Sequence, residues 1–148
     1  HTNDAPSSVN RLLNMGIEPF LVTSSVNLIA AQRLVRVICK NCKEPVDISP
    51  QVLKDIGATE EQIKEMQPMK GAGCMKCSKT GYRGRLACYE VMPLYEEIKE
   101  FVLNGASTSE IKREAIRLGM KTMRQGGITK MIEQQTTIEE VVRVTAPD

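Results

Sequence analysis

The sequence predicts an α+β fold that is mostly helical, and three observations indicate it. Helix-capping signals recur along the chain, of which the clearest is the capping box Ser107-Thr-Ser-Glu110. Two short runs, Leu34–Ile38 and Arg85–Met92, have the apolar patterning of strands. Two Cys-x2-Cys pairs lie between those runs with the spacing of metal-binding knuckles. Together these features predict helices on both sides of a cysteine-rich insert, with few strands.

The residues before the first cysteine are predicted to form two helices and a strand. Asp4 is a suitable N-cap for a helix that ends near Met15, just before Gly16. A second helix is expected from Pro19 to about Arg33, because its apolar residues form one stripe, followed by the strand Leu34–Ile38. The stripe consists of Leu21, Val22, Val26, Ile29 and Ala30. These elements are too few to close a core, so we expect them to end a larger α/β domain.

The residues after Pro93 are predicted to be helical. The expected helices span about 94–104, 107–119 and 120–132, and a short last helix opens at Thr137. Gly126 and Gly127 are expected to weaken the third of them. Methionines recur along this region at helical spacing, and we expect them to fill the core, since Met packs into irregular gaps.

Four cysteines carry the strongest signal in the chain. Cys39/Cys42 and Cys74/Cys77 are separated by 31 residues, and two such pairs can converge as four thiolates on one structural Zn²⁺. Five cysteines without a secretion signal indicate a reducing compartment rather than disulfides. The fifth, Cys88, is expected to act as a small buried apolar residue. The sequence therefore predicts a zinc site of four cysteines that stabilises the fold and performs no chemistry.

The insert between the cysteine pairs is expected to depend on its metal. Ser49 and Thr59 are N-cap candidates for two short helices, the first of which ends near Gly57. Large apolar residues are few, so we expect the metal to supply the missing stability, on the order of 10 kcal/mol as in zinc-finger peptides. Four lysines in or beside the knuckles either offset the charge of a metal tetrathiolate or are ordinary solvated side chains. They are Lys40, Lys43, Lys76 and Lys79.

Composition and motifs exclude several classes of function. Four thiolates and one Zn²⁺ together carry −2, which reduces the formal charge of the chain from +2 to zero, and only 3% of residues are aromatic. Nucleic-acid binding is therefore not expected. The segment Gly73–Thr80 is similar to a phosphate-binding loop, but Ser78 replaces the second glycine and two of its residues are the expected metal ligands. Metalloprotease and serine-hydrolase motifs are absent, and His1 is the only histidine.

Two other classes remain open on the cysteines alone. A rubredoxin-like electron carrier also uses two Cys-x2-Cys pairs, with iron in place of zinc. The insert has few aromatics to shield a redox centre, and such a carrier would leave most of the chain unexplained. A zinc-ribbon module that binds a protein partner or nucleic acid is the second alternative.

No apolar run approaches the ~18 residues that span a membrane.

Seven segments of the chain carry motifs in a characteristic order. They are His1–Pro6, Arg11–Phe20, Ala31–Arg36, Gly81–Arg85 with Tyr89–Met92, Met123–Ile128 and Thr136–Val142. Together with the four-cysteine insert, they resemble the bacterial hexameric ATPases of type II secretion and type IV pilus assembly. His1–Pro6 is similar to the end of that family's histidine box, a segment of the nucleotide site. The resemblance covers essentially the whole chain.

The resemblance implies an architecture of three parts. Residues 1–38 would end a RecA-like ATPase domain, 39–92 would form the tetracysteine zinc-binding insert with its return strand, and 93–148 would form a small helical C-terminal domain. It also implies a parent protein that uses ATP and Mg²⁺ as a cytoplasmic hexamer. That hexamer would contact an inner-membrane platform protein and reach the membrane only through its partners. The chain starts at His1 rather than Met, so we expect it to be a piece of that parent.

The resemblance assigns few nucleotide-site residues to this chain. The phosphate-binding loop, the acidic box and the Walker B segment precede the histidine box in the family, and no such segment occurs among these residues. Only His1 matches a catalytic-site position, where its imidazole would lie near the terminal phosphate. From the residues alone, a lone histidine at this position is an ordinary solvated group. We therefore expect no ATP hydrolysis by these 148 residues alone.

Overall fold

A computed structural model describes all 148 residues, His1–Asp148, as an α+β chain with eight helices and two two-stranded sheets. The helices are α1 Ala5–Asn14, α2 Pro19–Ser25, α3 Pro50–Asp55, α4 Glu60–Glu65, α5 Glu96–Leu103, α6 Thr108–Arg117, α7 Met123–Ile132 and α8 Ile138–Val144. The strands are β1 Leu28–Ile38, β2 Lys43–Pro45, β3 Met69–Gly71 and β4 Tyr82–Pro93. β1 pairs with β4, and β2 pairs with β3. The predicted fold class, α+β and mostly helical, is confirmed.

Contacts group the residues into two compact units. The first consists of His1–Gln32 and Tyr89–Thr122, and the second of Arg33–Cys88 and Met123–Asp148. The helices on the C-terminal side thus divide between the units, with α5 and α6 in the first and α7 and α8 in the second. The three-part division at residues 38 and 92 stays a prediction about domains of a longer protein.

The first unit is built from helices that pack in pairs. α1 contacts α2 and α6, and α5 contacts α2 and α6. Their buried apolar side chains include Val9, Val22, Ile98, Val102 and Ile111. Burying these aliphatic groups stabilises the unit, since each contributes about 1.5–3 kcal/mol relative to exposure.

The start of α1 is fixed by its cap and by β4. Asp4 accepts a hydrogen bond from the backbone N–H of Ser7 (2.9 Å), as the sequence predicts for an N-cap. The next residue, Ala5, donates its backbone N–H to the buried carboxylate of Glu90 (2.9 Å). A negative charge beside the positive end of the helix dipole is favourable, so Glu90 supports the first turn.

The second unit has a core shared between the insert and the last helices. Apolar side chains of α3, α4 and the turns after them pack against α7 and α8. The buried members are Leu53, Ile56, Ala58, Met66, Ile128, Met131 and Val141. The insert has few large apolar residues, as expected, and it buries them against helices more than 60 residues further along the chain. Its stability therefore does not depend on a metal alone.

Gly127 allows α7 and α8 to pack closely. A Cβ at this position would lie 2.8 Å from Cγ1 of Val141, which is fully buried in the shared core. The glycine pair expected to weaken α7 therefore contains the residue that lets α8 approach. α7 begins at Met123, three residues later than the sequence predicts.

The predicted second helix is wrong in its second half. α2 ends at Ser25, and residues from Leu28 onward form β1 instead of continuing a helix to Arg33. In β1, Ile29 and Ala31 are buried whereas Ala30 is exposed, which is the alternation of a strand. The strand forms because β4 pairs with it, and that contact is not visible in the local sequence.

The other predicted N-caps and the two predicted strand segments are confirmed. The hydroxyls of Ser49, Thr59, Ser107 and Thr137 each cap a helix as N-caps. The runs Leu34–Ile38 and Arg85–Met92 lie within β1 and β4. None of the eight helices combines the length and the apolar character that a membrane crossing requires.

Candidate metal centre

Two arms of the second unit carry the cysteine pairs. The first arm is the turn between β1 and β2, and the second runs from β3 through a 3₁₀ turn at Met75–Cys77 to β4. β2 and β3 pair antiparallel with Lys43 opposite Gly71, which places Cys42 near the start of the second pair. Backbone hydrogen bonds extend this pairing around the cysteines, from Cys39 N–H to Gly81 C=O (2.9 Å) and from Ala72 N–H to Cys42 C=O (2.9 Å).

The four sulfur atoms converge to one point. The Sγ atoms of the four cysteines all lie within 4.8 Å of one another. The separations are 3.9 Å for Cys39–Cys74, 3.8 Å for Cys42–Cys77 and 3.7 Å for Cys74–Cys77. A tetrahedron of Zn–S bonds about 2.3 Å long has sulfur–sulfur edges of about 3.8 Å. None of the cysteines forms a disulfide. The four cysteines could therefore hold a metal ion, and their spacing fits tetrahedral thiolate coordination.

Backbone N–H groups are directed at the sulfur of Cys77. Cys74 N–H donates to it at 3.2 Å and Gly81 N–H at 3.3 Å. These bonds, first that from Cys74, lower the pKa of the Cys77 thiol to about 6 against the opposing effect of burial. Hydrogen bonds of this kind stabilise a sulfur that carries negative charge, as metal-bound thiolates do.

The sulfurs of Cys42 and Cys74 also accept hydrogen bonds. Gly73 N–H donates to the sulfur of Cys42 at 3.3 Å, and the Asn41 side-chain amide donates to that of Cys74 at 3.3 Å. The Asn41 bond lowers the pKa of Cys74, whereas burial raises the pKa of the Cys42 thiol to about 12. A divalent cation between the sulfurs would favour the thiolate at every position, since metal binding displaces thiol protons.

Three glycines make the convergence of the arms possible. A Cβ on Gly71 would lie 2.1 Å from the carbonyl oxygen of Gly81, and a Cβ on Gly81 would lie 2.6 Å from that of Gly71. Gly73 has φ +95° and would place a Cβ 2.9 Å from the carbonyl oxygen of Lys79. Any larger residue at Gly71 or Gly81 would push backbone against backbone and separate the cysteine pairs.

A buried carboxylate joins α8 to β1, the strand that leads into the first arm. We call the group formed by Glu140, Arg36 and Arg143 the clasp. Glu140 is 1% exposed and accepts hydrogen bonds from the backbone N–H of Arg36 (2.7 Å) and from its guanidinium (3.0 Å). Arg143 pairs with the same carboxylate at 2.8 Å. Burial raises the pKa of Glu140, but the Arg143 and Arg36 bonds outweigh it and hold the pKa at about 2.

Aromatic and hydroxyl contacts surround the clasp. The Arg36 guanidinium stacks over the Tyr82 ring, 4.1 Å from its centroid. The Tyr82 hydroxyl bonds the Thr137 hydroxyl (2.7 Å), and the Thr136 hydroxyl donates to the Arg36 carbonyl (2.8 Å). Ile38, next to the first metal-site cysteine, donates its N–H to the carbonyl of Gln135 (2.9 Å). The loop before α8 and its first turn therefore hold both strands that lead to the cysteines.

The predicted site residues fall into separate parts of the chain. The four cysteines lie together in the second unit, whereas His1 is an exposed residue of the first. Cys88 is 2% exposed and is not a member of the cluster, and burial raises the pKa of its thiol. Cys88 thus has the buried environment expected of an apolar residue.

Sequence reasoning did not identify Asn41, the glycines or Glu140 as parts of this site. A signal for the glycines was present, since Gly71, Gly73 and Gly81 flank the second cysteine pair. No local sequence signal pointed to Glu140, because its partner Arg36 is 104 residues away.

Comparison with known proteins identifies relatives along the whole chain. Residues 1–143 match the family described as Type II/IV secretion system protein. The chain is 55% identical over its full length to the "Type IV pilus assembly ATPase PilB" of Myxococcus xanthus, of which it spans 26%. It is 41% identical over 98% of its length to the Thermus thermophilus protein of the same name, of which it spans 16%. It is 38% identical over its full length to the "Type II secretion system protein E" of Aeromonas hydrophila, of which it spans 29%. The chain thus corresponds to less than a third of each of these relatives.

Proposed function

We propose that this chain, which belongs to the Type II/IV secretion system protein family, is the C-terminal part of an ATPase. That ATPase would assemble type IV pili or drive type II secretion. Its relatives bear both descriptions, at 55% identity for a pilus assembly ATPase and 38% for a type II secretion protein. Within that enzyme the chain would have a structural role.

Cys39, Cys42, Cys74 and Cys77 are the proposed ligands of a structural Zn²⁺. The observation that carries this proposal is the convergence of their four sulfur atoms to within 4.8 Å. A closed set of four cysteines has no open position for a substrate, so the ion would stabilise the fold rather than react. It would hold the arm after β1 against the arm before β4, and the N–H groups directed at the sulfurs would remain as its outer support.

Residues 1–38 are the proposed end of a RecA-like ATPase domain and would contribute to the nucleotide site. The exposed apolar side chains of this stretch support it: Met15, Phe20 and Leu21 are 66%, 69% and 51% exposed and lie within seven positions of one another in the sequence, as expected where a further part of a protein would cover them. His1 is the proposed histidine-box residue and would act near the terminal phosphate of bound ATP. With no phosphate-binding loop or Walker B segment among its residues, the chain by itself would not hydrolyse ATP.

The parent enzyme would be a cytoplasmic hexamer that binds Mg²⁺ and ATP. Its partners would be further copies of itself, an inner-membrane platform protein and other secretion or pilus components, through which it would stay peripheral to the inner membrane. Residues 39–92 would form its metal-binding insert and residues 93–148 its helical C-terminal domain. Nucleic acid is not among its proposed partners.

Elemental analysis of the purified chain tests the metal assignment. We expect one Zn²⁺ per chain in the native protein and none in a variant with Cys39→Ser and Cys74→Ser. Cys88→Ser is the matched control, and it should keep the full metal content because Cys88 lies outside the cluster. A native chain without metal would overturn the assignment. A red protein that contains iron would support the rubredoxin-like alternative instead.

Nucleotide binding and turnover test the second part of the proposal. The isolated chain should neither bind Mg²⁺-ATP stoichiometrically nor release phosphate above background. In the complete ATPase, His1→Ala should lower turnover, whereas Lys64→Ala on an exposed helix face should not. Stoichiometric, magnesium-dependent ATP binding by the isolated chain would contradict the assignment.

A further inference from the structure

The two arms of the metal centre and the strand residues next to them are strongly basic. Residues 33–43 and 66–88 contain nine lysines and arginines and no aspartate or glutamate. Arg36 is paired with Glu140 and Lys70 with Glu44. Six others have no ion-pair partner: Lys40, Lys43, Lys76, Lys79, Arg83 and Arg85. A metal tetrathiolate carries −2, so these six cations leave a local excess of positive charge even with the ion bound.

Three of the unpaired cations surround one cavity. Lys40, Lys76 and Arg83 line a space of about 600 Å³ beside the metal centre. Val37 and Ile38 supply apolar lining. No carboxylate lines the cavity, although acidic side chains are as frequent as basic ones elsewhere in the chain. Cys39, one of the proposed metal ligands, also lines the cavity; three cations still exceed the −2 of a metal tetrathiolate, so the field within the cavity is positive. Its volume lies in the range of sites that bind small ligands or a few residues of a peptide.

From this charge and shape we infer that the surface formed by Lys40, Lys76 and Arg83, here called the basic cavity, binds an acidic peptide segment of a partner protein. Carboxylate side chains of such a segment would pair with the three cations, and an apolar residue between them would cover Val37. The cavity has no aromatic side chain on which a nucleic-acid base could stack. An acidic peptide can both pair with the three cations and cover the apolar lining, whereas a free inorganic anion could only pair with the cations.

Features next to the cavity favour the same occupant. Met75, which precedes Lys76 in the 3₁₀ turn, is 84% exposed, and methionine is common on surfaces that bind peptides. The proposed metal would fix this turn against the first arm. The inference depends on the proposed metal centre only to that extent, and it is independent of the ATPase assignment.

Peptide binding by the metal-loaded chain tests the inference. The probe is the fluorescein-labelled peptide Glu-Glu-Leu-Glu-Glu, and its counterpart with glutamine at every glutamate is the neutral control. We expect saturable binding of the acidic peptide alone, measured by fluorescence anisotropy. Affinity should fall at least about fivefold between roughly 50 and 300 mM salt, since exposed charge pairs are screened over a Debye length.

Charge-reversal variants locate the binding site. Arg83→Glu should weaken binding by about three- to tenfold, which corresponds to the strength of one or two exposed ion pairs. Arg85→Glu is the matched control, because Arg85 lies on the same strand, is exposed and unpaired, but lines a different cavity. It should change affinity by less than about twofold at 150 mM salt, where more distant charges are screened. Equal effects of the two variants would overturn the inference.

Metal content is measured for every variant, so that a failure of the metal assignment can be distinguished from a failure of the proposed peptide binding. A native chain that lacks metal contradicts the metal assignment, whereas a metal-loaded chain that does not distinguish the two peptides overturns the basic cavity. Arg83 lies outside both cysteine pairs, so its variant should retain the ion. Co-sedimentation with phosphatidylglycerol vesicles that is lost in Arg83→Glu, combined with no peptide binding, would assign the surface to a membrane and overturn the inference.

Discussion

Replacement of Glu140 by glutamine would remove the negative charge at the centre of the clasp. In the folded chain the carboxylate is buried and its pKa is about 2, against 4.5 for an unperturbed glutamate. This difference corresponds to about 3 kcal/mol of stability at neutral pH, since one pKa unit is about 1.4 kcal/mol. Arg36 and Arg143 are 47% and 55% exposed and would be rehydrated in the variant. We therefore expect a loss of about 2–3 kcal/mol, at or below the lower limit of the roughly 3–5 kcal/mol found when one partner of a fully buried pair is removed.

Urea unfolding followed by circular dichroism measures this loss. The control is Glu139→Gln, which changes the neighbouring exposed residue in the same first turn of α8. Glu139 interacts only with the helix dipole, so the control should lose about 0.5 kcal/mol or less. Equal losses in the two variants would refute the role of the clasp.

The pH dependence of the same difference provides a second check. The folded-state pKa of Glu140 is depressed, so its contribution is fully present above the unfolded pKa and is lost as the pH falls through the folded pKa. The stability difference between the native chain and Glu140→Gln should therefore decrease between about pH 4.5 and 2, and at pH 3 it should be less than half its neutral value. Acid also displaces metal from thiolates, so both chains are compared at equal metal content. A difference that stays constant down to pH 2 would contradict the assigned pKa.

Three further perturbations follow from the metal centre and the shared core. Chelation should speed proteolysis between Cys39 and Cys77 while α7 and α8 stay largely helical by circular dichroism; unchanged cleavage would count against the metal's structural role. Gly71→Ala should lower Zn²⁺ affinity about 10- to 100-fold in competition titrations, because its Cβ would lie 2.1 Å from a backbone carbonyl. Gly127→Ala should lower stability by about 1–2 kcal/mol through contact with Val141, and Val141→Ala should relieve part of that loss in a double-mutant cycle.

Local signals were sufficient to locate most helices and the cysteine cluster. The caps at Asp4, Ser107 and Thr137 are formed by hydrogen bonds within one turn, so the residues that decide them are neighbours in the sequence. The cysteine pairs could also be predicted from the sequence, because each knuckle is a local turn with fixed spacing.

Elements that depend on distant partners could not be located in this way. Residues 28–33 include Ala, Gln and Arg, which have good helix propensity, and only pairing with β4 makes them a strand. The insert has few apolar residues of its own because nearly half of the core it packs into, including Ile128 and Val141, comes from α7 and α8. The clasp could not be predicted for the same reason, since Arg36 and Glu140 are 104 residues apart and their pairing produces no local sequence pattern.

The composition of the second unit has a consequence for the order in which its parts become available on the ribosome. The cysteines are complete once Cys77 has emerged, but their unit also contains residues 123–148. At about 5–20 residues per second, Glu140 follows roughly 3 to 13 s later. If the proposed ion binds as soon as the four cysteines are available, it would bind before Glu140 can hold the strands, and metal supply would then act before the second unit is complete.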